Sequence, residues 1–400
     1  MIKRKSNKKR ISPSKKIKSP KQNKVSYRKK GGSSTYDEYM KNGNPTNVFI
    51  NMVCMTFNMG TIEENTDLTP SLHKLLLQWY RELNEQYPDV IVISLQESKN
   101  DSIPKFFNDN GYKLLNKKPN NSIKTIDRIH QGSKTLSVFS SGLYLGNLQL
   151  FIFIKSDMLN SPIVKFSIER NNSYQCSLSN LSKASISRMF FIERIRDNLP
   201  VNTYIFNLFS SHLPSKPSEL NERNECLFKS IYNNSITEPK STFRTQNVIF
   251  MGDLNYRTDN DDSNFSDINK TKDKKLTNYI LNSNCDINHN LYSNDSCLIN
   301  SKNQQVGCFM ADQLSSSLDK LNLTESEIKF CPTCRFIETN DNNITKRSYD
   351  AKRVPSWCDR ILTNKEFSPK INKGIYKSFN VSNQSDHLAV YQIFNIDIFN

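Results

Sequence analysis

The run Val248-Ile-Phe-Met-Gly-Asp253-Leu-Asn255-Tyr-Arg257 constrains this chain more than any other segment. Its four leading apolar residues read as an inner strand, because a strand covered on both faces shows a continuous apolar run and no alternation. Gly252 breaks the run, and a carboxylate, an amide and a guanidinium follow within five residues. A sheet that ends in this way presents rigid polar chemistry along one edge. The same design recurs with Asn58 after Met52 to Phe57, Gln96-Glu97 after Val90 to Leu95, and Ser211-His212 after Thr203 to Leu208. Asp359, within Arg353-Val-Pro-Ser-Trp357-Cys-Asp359-Arg-Ile-Leu362, and Ser385-Asp386-His387 instead precede apolar runs. With 400 residues and 36% apolar content, the chain can bury one large core or two ordinary ones.

The net charge of +16 is concentrated at one end. Residues 1–30 carry 14 Lys or Arg and no Asp or Glu, leaving 41 basic against 39 acidic residues elsewhere. Such a segment cannot bury enough apolar surface to fold, so residues 1–45 are expected to form a disordered basic arm. The arm suits solubilisation, attraction to an anionic membrane surface, nuclear import or non-specific nucleic-acid contact. Residues 46–400 then form the folded domain, with a polar Asn/Ser-rich insertion near 258–303 and order beginning near Val48.

Nine cysteines sit at irregular spacings, and neither a signal-peptide apolar region nor a membrane-length apolar run is found. The expectation is a reduced, intracellular protein, cytoplasmic or peripheral at a membrane, with the nucleus reachable through the arm. Cys331-Pro-Thr-Cys334 has zinc-like spacing, but Cys285, Cys297 and Cys308 supply no second pair. Between the first two strands, Leu72, Leu75, Leu76, Trp79, Tyr80 and Leu83 follow helical spacing, and Thr69-Pro70 marks a helix start. Ser218 to Tyr232 reads as a second amphipathic helix, and Leu148 to Ile154, Arg188 to Ile192 and Leu388 to Phe394 as further strands.

These polar groups match what phosphate-ester hydrolysis needs: a divalent cation to neutralise the phosphate, a group to handle water, and donors for the equatorial oxygens. Oxygen ligands suit Mg²⁺, which takes one or two protein carboxylates and keeps its waters. Asp359 is placed to orient the His387 ring and stabilise its protonated form.

The chain resembles the inositol polyphosphate 5-phosphatases, within the DNase I-like endonuclease/exonuclease/phosphatase superfamily. Gly252-Asp-Leu-Asn-Tyr-Arg257 and Pro355-Ser-Trp-Cys-Asp-Arg-Ile-Leu362 resemble the family's two signature segments, with Ser356 where Ala is usual. Thr56-Phe-Asn58, Leu95-Gln-Glu97, Ser211-His-Leu213 and Ser385-Asp-His387 match the other blocks in order. The resemblance, over about residues 50–396, implies an α/β fold: a four-layer α/β sandwich with two packed mixed β-sheets. It implies one Mg²⁺ served by Glu97 and Asn58. Asp253, Asn255 and His387 would activate water and bind phosphate, Asp359 would support His387, Asp386 would lie beside the metal, and His212 would contact the scissile phosphate or assist the leaving oxygen.

Substrate choice falls to basic residues: Arg335, Lys352, Arg353, Arg257 and Lys183. Phe330-Cys-Pro-Thr-Cys-Arg335 resembles a family block ending Pro-Thr-Tyr-Lys that holds the neighbouring ring phosphate. Cys334 removes the phenolic donor, while Arg335 keeps the charge in a bidentate fork. The implied activity is removal of the 5-phosphate from phosphoinositides or soluble inositol polyphosphates. A metal-dependent nuclease of the same superfold is the alternative, as fold alone does not fix function; a catalytically dead binding module is a third class. The nearly neutral body lacks the basic surface of a nucleic-acid-binding domain, so no specific nucleic-acid partner is expected. The oligomeric state is open.

Overall fold

The apolar runs become long, buried strands that pair into two mixed sheets. The computed structural model describes most of residues 49–398; outside lie 1–48, 116–129, 177–182, 237–246, 257–296, 300–304, most of 309–321, 350–355 and some shorter stretches. The basic arm and most of the insertion expected near 258–303 therefore fall outside the described residues; within the insertion, Cys297–Ile299 forms a short strand.

The first sheet contains β1 (Phe49–Asn58), β2 (Val90–Gln96), β3 (Tyr112–Leu114), β4 (Ser137–Phe139), β5 (Gly142–Leu145) and β6 (Leu148–Lys155). The second contains β7 (Val164–Gln175), β8 (Ala184–Arg196), β9 (Leu199–His212), β10 (Asn247–Asp253), β11 (Leu323–Glu325) and β12 (Asp359–Asn364). The chain then returns to the first sheet with β13 (Ile371–Phe379) and β14 (Ala389–Asp397). Strand order is β13-β14-β1-β2-β6-β5-β4 in the first sheet, with β3 also on β6, and β11-β12-β10-β9-β8-β7 in the second. Helices α1 (Thr69–Glu82), α2 (Ser102–Asp109) and α3 (Leu220–Ile236) cover them.

Side-chain alternation builds the layers, since successive residues of a strand face opposite sides. Met52 and Cys54 of β1 join Ile186, Phe206, Leu208 and Ile249 in the core between the sheets. Val53, Met55 and Phe57 face the other way, onto Leu72, Leu75 and Trp79 of α1 and Phe107 of α2. On the second sheet, Phe209, Val248, Phe250 and Leu362 pack against Leu227 and Ile231 of α3. The result is helix, sheet, sheet, helix: the expected four-layer sandwich. Helix α1 follows its apolar spacing, with Pro70 in its first turn, where a missing N–H costs nothing.

Two parallel pairings set the functional edge. β1 and β2 run together, with Asn58 beside Gln96, and β9 and β10 run together, with His212 beside Asp253. Antiparallel β12 then places Asp359 beside Asp253. Gly252 is required here for packing: a Cβ at this position would lie 1.9 Å from the Ser211 carbonyl oxygen.

The cysteines depart from the reduced state expected of them. Cys176, just after β7, is disulfide-bonded to Cys226 on α3, with a Cα separation of 5.0 Å. Irregular spacing concealed this, because the fold joins a strand end to a helix 50 residues away. Cys331 is also disulfide-bonded, whereas Cys334 is a buried thiol outside any disulfide, so these two do not form a metal-binding pair. Among the described residues, no helix is long and apolar enough to cross a membrane.

Candidate active site

Each sheet contributes one cluster of polar strand ends, and hydrogen bonds tie the two clusters together. Asn58 Nδ2, at the end of β1, donates to Asp253 Oδ2, at the end of β10, at 2.9 Å. Asn58 Oδ1 accepts the Gly60 N–H at 2.9 Å, which fixes the orientation of the amide. Asp253 Oδ1 accepts the Asn255 N–H at 3.1 Å, and Asn255 Nδ2 donates to the Leu213 carbonyl at 3.1 Å. Glu97 and Asn255 both have φ of 54°, in the left-handed region. Asn tolerates that region, but for Glu it costs roughly 1–3 kcal/mol, so this strand end is held by its surroundings.

His387 and Asp359 form a buried pair. His387 Nδ1 lies 2.8 Å from Asp359 Oδ2, leaving Nε2 toward Asp253 Oδ2 at 4.0 Å and Asp386 Oδ1 at 3.9 Å. Burial disfavours the imidazolium, but the neighbouring Asp359 charge, helped by Asp253, overrides this and raises the His387 pKa well above its ordinary value. Burial raises Asp359, which titrates together with His387; the proton of the pair resides on the imidazole. Burial also works against the Asp253 carboxylate, but the hydrogen bond from His212 and the positive charges of His387, His212 and Lys183 outweigh it. Asp253 is held far below the ordinary carboxylate range. The resting site therefore combines an anionic Asp253 with a protonated His387.

His212 Nε2 lies 3.3 Å from Asp253 Oδ2 and 3.6 Å from Glu97 Oε1, and it also contacts Lys183 Nζ. Lys183 is buried beside β8, so it belongs to the interior of the cluster and not to a solvated rim. Arg335 and Asp386, read as a substrate contact and a metal neighbour, are ion-paired to each other, Nε to Oδ2 at 2.9 Å. No local pattern joins them, as they lie in different loops. Trp357 is buried and donates Nε1–H to the Phe330 carbonyl at 2.9 Å, in keeping with a packing role. Arg257, Lys352 and Arg353 lie outside the described residues.

Three supporting residues escaped the sequence reading of roles. Ser385 Oγ donates to the Asn58 carbonyl at 2.7 Å and accepts the His387 N–H at 3.0 Å, so one hydroxyl aligns both sides of the site. Thr333 Oγ1 accepts the Asp359 N–H at 3.2 Å. A Cβ on Gly60 would lie 2.5 Å from Asp386 Oδ1. Only Ser385 had a signal, its place beside Asp386-His387.

The donor set fits a hard divalent cation. Glu97 offers a carboxylate that is 43% exposed, and Asn58 Oδ1 retains a second lone pair. Asp253, Asp359 and His387 also have ligand atoms within 4.8 Å of one another. That trio is better described as an acid–imidazole relay, because His387 Nδ1 and Asp359 Oδ2 are committed to each other.

A two-sheet sandwich with acids, amides and a histidine gathered on one edge is the DNase I-like fold. The chain belongs to endonuclease/exonuclease/phosphatase family 2, whose model matches residues 55–393. Its relatives include the Type IV inositol polyphosphate 5-phosphatase 9 of Arabidopsis thaliana, 29% identical over 182 residues, 42% of this chain and 36% of that protein. The Type II inositol 1,4,5-trisphosphate 5-phosphatase of Mus musculus is 26% identical over 195 residues, 47% of this chain and 16% of its own length. The matched region thus spans about a third of the first relative and less of the second. Among solved structures, the inositol polyphosphate 5-phosphatase domain of Spsynaptojanin, in complex with inositol (1,4)-bisphosphate and calcium ion, superposes with a TM-score of 0.52. It is 17% identical, covering 91% of this chain and 90% of that one.

Proposed function

We propose that this chain is a Mg²⁺-dependent phosphomonoesterase that removes the 5-phosphate of phosphoinositides or soluble inositol polyphosphates. The observation that carries it is the convergence of Asp253, His212, Asn255 and the His387–Asp359 pair beside an oxygen-donor corner at Glu97 and Asn58. The relatives named above support the substrate class. The test is phosphate release from a panel of inositol phosphates and lipids, run beside a plasmid-nicking assay. Release from inositol phosphates with intact plasmid is expected; nicking without phosphate release would favour the nuclease.

The residues divide the work. Asp253, anionic and braced by Asn58 and Asn255, orients the attacking water and accepts its proton as the bond to phosphorus forms. His387 donates its Nε2 proton toward a phosphate oxygen while Asp359 holds Nδ1 and stabilises the imidazolium. Lys183 adds positive charge at the same oxygens, and His212 and Asn255 supply further donors. Mg²⁺ held by Glu97 and Asn58 would neutralise phosphate charge as it shifts toward the leaving oxygen.

Arg335 sets ring-phosphate preference in this reading, joined by Lys352, Arg353 and Arg257. Its Nε is anchored by Asp386, and the planar fork suits bidentate phosphate contact. Arg335→Ala is expected to penalise 4,5-bisphosphorylated substrates by about 1.5–3 kcal/mol in kcat/KM, typical for a hydrogen bond to a charged group. A 5-monophosphate should barely change. Equal losses on both substrates would assign Arg335 to structure or to the scissile phosphate.

The arm adds attraction to anionic headgroups in the same reading. Deleting residues 1–45 should leave kcat on a soluble inositol phosphate unchanged but weaken binding to anionic vesicles, less so as salt rises. Undiminished vesicle binding after deletion would rule out that role.

A further inference from the structure

Asn255 tolerates its left-handed backbone, but the position of its side-chain amide is set by its surroundings. Part of the restraint is local: its N–H donates to Asp253 Oδ1 and its side-chain amide to the Leu213 carbonyl. Leu213, however, opens a turn after β9, and that turn must itself be held. Arg223 of α3 does this. Its guanidinium is fully buried, and Nη1 donates to the carbonyls of Pro214 at 3.2 Å and Lys216 at 2.7 Å.

The same guanidinium lies over the ring of Tyr256, 5.7 Å from its centroid. The Tyr256 hydroxyl in turn donates to Asn224 Oδ1 at 2.8 Å. Two adjacent residues of one helix therefore grip both supports of Asn255: the turn that accepts its amide, and the next residue in the chain. Burying a guanidinium is costly, and α3 seals neighbouring positions with Cys226 and Leu227. The cost needs a return, and the geometry identifies it.

We propose that Arg223 and Asn224 form a positioning clamp that presets Asn255 for phosphate, acting through Tyr256 and the Leu213–Lys216 turn. The proposal rests on the reading of Asn255 as a phosphate-binding amide. Neither clamp residue reaches the site, so both are positioning residues. Because Glu97 and Asn58 belong to the other sheet, the clamp governs turnover and leaves metal affinity alone.

Tyr256→Phe and Asn224→Ala each break the same hydrogen bond while leaving the ring in place. Each should lower kcat about fivefold, as the loss of one neutral hydrogen bond does, with the Mg²⁺ half-saturation point unchanged. The double variant should be no worse than either single, as expected for two ends of one interaction. Arg223→Ala should lower kcat by about 10²-fold as the geometry slips, with partial recovery on adding guanidinium. If Arg223→Ala fails to fold, the Tyr256 and Asn224 variants still decide. Asn255→Ala is measured alongside: full turnover there would defeat the reading of Asn255 and the clamp with it. A crippled Asn255→Ala with wild-type kcat in both Tyr256→Phe and Asn224→Ala would overturn the clamp alone. So would variants that lose only thermal stability.

Discussion

Replacing Asp253 or His387 with alanine is expected to lower kcat on an inositol 5-phosphate substrate by on the order of 10²-fold or more. Asp253 sits at the junction of the site. It joins the two sheets through Asn58, accepts the Asn255 N–H, and faces both histidines. His387 supplies the proton-bearing group. Because the two act on one phosphate, the double variant should lose far less than the product of the single losses. The pH profile carries the same logic with a definite sign. Asp253 is held low, so it stays anionic through the acid and neutral range and should not set an acid limb there. His387 is raised, so its imidazolium survives past neutrality, and kcat should fall only as pH rises through that raised value. Circular dichroism of each variant checks folding. A folded His387→Ala enzyme with near-normal turnover would remove His387 from the mechanism.

Metal removal is expected to have the larger effect. EDTA should abolish activity and added Mg²⁺ should restore it, because the corner at Glu97 and Asn58 offers hard oxygen donors and little protein charge to neutralise a phosphate by itself. Glu97→Gln should keep the fold, since the carboxylate is 43% exposed and makes no buried bond that glutamine cannot replace. It should raise the Mg²⁺ concentration needed for half-maximal activity by well over tenfold. Direct titration of Mg²⁺ binding by calorimetry gives a readout independent of turnover. Full activity in chelator would contradict the metal reading outright.

The layers were legible in the sequence because buried strands here are continuous apolar runs. Met52 to Phe57, Val90 to Leu95 and Val248 to Met251 each became a strand of the expected sheet class, and the spacing of Leu72, Leu75, Leu76 and Trp79 became α1. Residues closing those strands could be picked out singly. Their mutual geometry could not, because it depends on register and on packing of one sheet against the other. The Asn58–Asp253 bond spans 195 residues of sequence, and no local pattern encodes it. The Arg335–Asp386 pair was invisible for the same reason, and so was the burial of Lys183 against His212. The Cys176–Cys226 link ran against a composition that pointed to free thiols. Gly252 announced a break in an apolar run, but the reason for glycine, a backbone oxygen where a Cβ would sit, belongs to three dimensions.

The most direct test of the central claim is the position of the phosphate removed. Purified protein should be given inositol 1,4,5-trisphosphate with Mg²⁺ and the product resolved by phosphorus NMR, with His387→Ala as the control. Loss of the 5-phosphate signal alone is expected, yielding the 1,4-bisphosphate, with no comparable conversion by the variant. Release from the 1- or 4-position, or equal conversion by His387→Ala, would contradict it.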